Sequence, residues 1–73
     1  MSLQQCRTQQ PVRVREVDLD DPLRAAELGL RPGTVVRVTQ RGAFGGVVLA
    51  VGGARVAVDA RTARHITVEP VEV

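Results

Sequence analysis

The sequence predicts a small, mainly all-β domain. Five short strands would close into an antiparallel barrel, with one short α-helix after the first strand and a 3₁₀ turn before the last. Two observations lead there. Short apolar runs follow one another closely, separated by turns built on Gly and Pro. The chain has 73 residues, a size at which one core rarely supplies more than about 3–5 kcal/mol of net stability. Closing the sheet removes the exposed edges that a flat one would keep.

The elements follow in order. Residues 1–10 are polar and Gln-rich, with no periodicity beyond Leu3, and are expected to be flexible or loosely docked; the domain proper is residues 11–73. Val12-Arg13-Val14-Arg15 alternates with the two-residue period of a strand that buries one face. Val17 falls out of step with Val12 and Val14, which predicts a bulge or the strand's end. Asp21-Pro22 then starts a helix, because Asp can cap the free amides and Pro suits the first helical position. Leu23 to Leu28 continue it, and Gly29 supplies a left-handed stop. Pro32-Gly33 fits a type II turn.

Beyond that turn, Val36 and Val38 mark one face of a second strand. The uninterrupted run Val47-Val48-Leu49-Ala50-Val51 reads as a third, covered on both faces. Gly52-Gly53 predicts a tight hairpin with positive φ at both positions, returning through Arg55-Val56-Ala57-Val58. Asp59 begins a single helical or 3₁₀ turn over residues 60–64. Ile66 and Val68 point inward from the last strand, which Pro70 ends. A 3₁₀ turn at that place suits the SH3-like barrel. The OB-fold is the runner-up, but its usual helix falls later in the chain.

Composition excludes several functions. Ten basic residues, all Arg, face eight acidic ones, a net +2 that is small for a nucleic-acid binder working through its field. Phe44 is the one aromatic residue, so the stacking platforms of single-strand binders are missing. A single cysteine, Cys6, allows no internal disulfide and is simplest in a reducing compartment. The charge-free stretch from Gly42 to Ala54 is too short to span a bilayer, and the N-terminus lacks an apolar run of signal-peptide length; both fit a cytoplasmic protein. One His, one Cys and one Ser do not assemble a nucleophile, base and orienting group, so no enzyme activity is expected.

Gly42, Gly45 and Gly46 lack the following Lys-Ser/Thr and the helix of a phosphate cradle, and read as glycines of a tight connection. Phe44 among them is either a plug in the open end of the barrel or an exposed anchor for a partner. Arg41, Arg61 and Arg64 could rim the same end, and an aromatic with arginines is a common binding hot spot.

From Leu23 to Val68 the sequence resembles the FeoA domain of bacterial ferrous-iron uptake. Three segments carry the resemblance: Glu27-Leu28-Gly29-Leu30-Arg31-Pro32-Gly33-Thr34-Val35-Val36-Arg37-Val38, Phe44-Gly45-Gly46-Val47-Val48, and Val56-Ala57-Val58 with Ala63 and His65-Ile66-Thr67-Val68. The helix ending in Leu-Gly-Leu and running into a Pro-Gly turn is the most specific of them. Leu3 to Pro11 departs from the family in lacking a Gly after the Pro, and the helix is shorter than many.

The resemblance implies a non-enzymatic cytosolic adaptor that binds and modulates FeoB, the membrane ferrous-iron transporter, at its cytosolic region. It would reach the membrane through that partner only. The same domain ends DtxR-type metal-dependent repressors, so the alternative is a metal-responsive regulatory domain binding a divalent transition metal. His65 and Asp59 are the candidate ligands, with Cys6, Glu69 and the cluster Asp18, Asp20, Asp21 considered beside them; no paired ligands at short fixed spacing support a site. No certain cofactor is implied, and self-association is left open.

Overall fold

Alternation sorts the residues of the first strand. In β1 (Pro11–Val17), Val12 and Val14 are buried while Arg13 and Arg15 face water. The computed structural model describes residues 1–18 and 27–71. Beside β1 these residues form β2 (Val35–Arg41), β3 (Val47–Val51), β4 (Ala54–Val58) and β5 (Ile66–Pro70), one antiparallel sheet in the order β4-β3-β2-β1-β5. The expected bulge in β1 is present: the register with β5 shifts between Val14 and Glu16, and this returns Val17 to the core side. A second shift, between Val38 and Gln40, bends β2 against β3.

The turns follow their glycines. Thr34 N–H donates to Arg31 O at 3.0 Å with Gly33 at φ +95°, the geometry the Pro32-Gly33 turn predicts. At the β3–β4 hairpin only Gly52 has positive φ, +59°, as a type II′ turn requires, so Gly53 does not need the left-handed region expected of it. The helix expected from Asp21-Pro22 lies outside the described residues apart from its end, where Gly29 adopts φ +77°.

The sheet does not close into a barrel. A closing strand would have to bond the free edge of β5, and the N-terminus occupies that edge: Ser2 bridges Thr67 and Met1 O accepts from Val68 N–H at 2.7 Å. Asp59 meanwhile turns the chain out of β4 into the helix Ala60–Arg64, which connects the two outermost strands. The element before β5 is thus an α-helix rather than a 3₁₀ turn. The 3₁₀ turn of the structure is Leu3–Gln5, at the other end of the chain.

That turn also alters the reading of residues 1–10. Leu3 and Cys6 are buried in the core with Leu30, Leu49 and Ile66. Ser2 N–H donates to Gln5 Oε1 at 3.0 Å, and Gln9 N–H donates to Val38 O at 2.7 Å. Lone apolar residues in a polar segment carry no periodicity, so the sequence pattern did not place them inside.

Asp59 Oδ1 accepts from Thr62 N–H at 2.7 Å, satisfying an amide that the first helical turn leaves open. We expect Asp59→Ala to cost about 0.5–2 kcal/mol, read as a lower urea midpoint at unchanged slope.

Candidate functional site

The turn between β2 and β3 carries the most exposed large apolar side chain among the described residues. Gly42 N–H donates to Gly46 O at 2.8 Å and Gly45 N–H to Gly42 O at 3.3 Å, closing residues 42–46 into a tight loop. Gly45 holds φ +84°, and a Cβ there would lie 2.8 Å from Gln4 Nε2 and 3.1 Å from Ala60 Cβ. The loop is therefore seated on the 3₁₀ turn and on the start of the helix Ala60–Arg64. Arg41, at the end of β2, donates from Nη1 to Gln4 O and ties the same turn down.

Phe44, at the tip, is 96% exposed. The ring stands in water, so Phe44 does not plug the end of the sheet. The loop that carries the ring is fixed by the Gly42–Gly46 hydrogen bond and by the packing of Gly45. Arg41 and Arg61 are exposed around the same junction, while Arg64 is exposed at the far end of the helix. Gln4, which shapes the junction through its carbonyl and amide, was not found from the sequence; a glutamine in a polar segment gives no signal.

Replacing Gly45 tests the seating. We expect Gly45→Ala to destabilise by about 1–2 kcal/mol from the left-handed backbone alone, with crowding against Ala60 added, measured by urea titration.

The metal candidates are not brought together. His65 and Asp59 are both exposed, at the C-terminal and N-terminal caps of one short helix. Glu69 pairs instead with Arg15 at 3.0 Å and Arg13 at 3.8 Å. Asp18 uses its backbone N–H to donate to His65 O at 2.9 Å, and Asp20 and Asp21 lie outside the described residues. Among the described residues no three His, Cys, Asp or Glu side chains converge, whereas zinc and similar ions ask for three or four donors. The residues described do not fit a metal centre.

Cys6 is a free thiol inside the core, donating weakly to Ser2 O at 3.5 Å. Burial pushes its pKa up, partly opposed by the positive charge of Arg41. A thiol raised in the folded state holds its proton where the unfolded chain loses it. The resulting contribution to stability is intact below the unfolded value, about 8.5, and is lost as pH rises through the folded one. We expect the urea midpoint to fall on going from pH 7.5 to 10, and the fall to shrink in Cys6→Ala.

The described residues form an open antiparallel sheet of the size of one small domain, with an exposed aromatic loop. The FeoA domain model matches residues 1–70 of the chain, and the chain belongs to the FeoA domain family. No curated protein matches the chain.

Among solved structures, the chain is similar to iron(II) transport protein A of Clostridium thermocellum, with TM-score 0.81 and 24% identity over 97% of this chain and 46% of that one. FeoA of Chlorobium tepidum gives TM-score 0.86 and 22% identity over 99% and 71%. Zinc-complexed FeoA of Stenotrophomonas maltophilia gives 0.78 and 26% over 94% and 89%. The chain spans less than half the length of the Clostridium protein. No helix among the described residues is long and apolar enough to cross a membrane.

Proposed function

We propose that the domain is a cytoplasmic adaptor of ferrous-iron uptake that binds the cytosolic region of a FeoB-type membrane transporter and modulates it. The observation that supports this reading is Phe44. A core this poor in large side chains would gain by burying its one benzyl group, yet the loop holds the ring in solvent. Arg41 and Arg61 lie at the same junction, and Arg64 sits farther along the helix. Titrating the transporter's cytosolic region with this protein tests the proposal; saturable binding is expected, and none at high micromolar concentration would end it.

A metal-responsive surface at His65 and Asp59 is the second reading. Its support is the zinc complex of the Stenotrophomonas relative. His65 and Asp59 sit at opposite ends of one helix and do not converge on a single ion. The adaptor reading therefore expects no heat when ferrous ion is titrated anaerobically to millimolar concentration, and saturable heat lost in His65→Ala would favour the metal.

A further inference from the structure

The two outermost strands differ in what they leave open. The outer edge of β5 is taken by Met1 and Ser2. Among the described residues the outer edge of β4 carries no strand. With a two-residue turn at Gly52-Gly53, the pairs Val51–Ala54, Leu49–Val56 and Val47–Val58 exchange the ladder hydrogen bonds. The N–H and C=O groups of Arg55 and Ala57 therefore point away from β3, and both residues are exposed. This edge has neither Pro nor a bulge; its protections are its shortness and the charge of Arg55.

The surface beside the edge is chemically uneven. Arg55 stands opposite Ala50 on the outer face of the sheet, and among the described residues it has no carboxylate partner. Ala57 stands opposite Val48. These two line an open groove that ends at Gly42 and Gly46, in the loop bearing Phe44. Val48 and Ala50 belong to the run read from the sequence as covered on both faces, yet here they remain partly exposed.

From this juxtaposition we infer that β4 takes up an extended segment of the protein partner as a sixth strand. The segment has a carboxylate facing Arg55 and, two positions along, a bulky apolar side chain lying over Ala57 and Val48. Main-chain bonds at Arg55 and Ala57 supply affinity, while alternate side chains supply specificity. An opposite-charge pair across adjacent strands favours this register over a like-charged one. The inference rests on the adaptor reading and deepens it, since the groove beside Ala57 ends at Gly42 and Gly46, the base of the loop that carries Phe44.

Amide hydrogen exchange on the full chain, alone and with the transporter's cytosolic region, tests it directly. We expect the Arg55 and Ala57 amides to exchange freely in the isolated protein and to slow at least tenfold in the complex. Ala57→Pro removes one outward donor without touching the β3–β4 ladder and is expected to weaken binding about tenfold; Arg55→Glu is expected to weaken it several-fold without needing a proline to be tolerated. Binding with both amides still unprotected overturns the inference and leaves the adaptor reading standing. So would protection that grows with protein concentration in the absence of the transporter, which makes the occupant a second copy. No binding by the wild-type chain overturns the adaptor reading and this inference together.

Discussion

Phe44→Ala is expected to weaken binding to the transporter's cytosolic region by at least tenfold while leaving the thermal midpoint unchanged. The two halves of this result come from one observation. A ring 96% exposed contributes almost nothing to the folded state, so its removal opens no cavity. In a complex the same ring is the largest apolar group on offer, and truncating an aromatic anchor commonly costs more than about 2 kcal/mol, with each 1.4 kcal/mol worth about a factor of ten. Calorimetric titration measures the first half and thermal unfolding the second. A Phe44→Ala chain that binds as well as wild type would remove the loop from the interface.

Leu3→Ala is expected to have the opposite signature, with a large loss of stability and the exposed loop's chemistry intact. Leu3 is fully buried and sits among the largest side chains of the core. Truncating a buried leucine costs about 2–5 kcal/mol, comparable with the whole net stability of about 3–5 kcal/mol that a core of this size supplies. The variant should be largely unfolded at room temperature by circular dichroism. The effect reaches further than one cavity, because the same turn presents the carbonyl of Gln4 to Arg41 and the side chain against which Gly45 packs. If Leu3→Ala unfolded at the same urea concentration as wild type, residues 1–10 would not be part of the fold.

The strands were legible because alternation is a local signal. Val12 and Val14, Val36 and Val38, and Ile66 and Val68 each mark a buried face at a spacing of two, and the out-of-step Val17 marks the bulge. Asp59 announced its helix in the same local way. Closure of the sheet was not legible, since it depends on which segment takes the free edge of β5. That segment is Met1–Ser2, which has no strand pattern of its own. The core role of Leu3 and Cys6 was hidden for the same reason, being fixed by tertiary contact rather than by period.

The candidate site was half legible. A lone Phe among glycines drew attention to the loop, but the residues could not say whether the ring faced in or out. The exposure of Phe44 follows from how Gly45 seats against Gln4 and Ala60, residues distant in sequence. The edge at Arg55 and Ala57, open among the described residues, follows from the strand order. Neither is a property of a short motif.

The proposed protein contact centres on the Phe44 loop. The most direct measurement is a titration of the transporter's purified cytosolic region with wild-type protein and with Phe44→Ala, side by side. Saturable binding by the wild type that drops at least tenfold in the variant is expected. No binding at high micromolar concentration, or equal binding by the two, would contradict it.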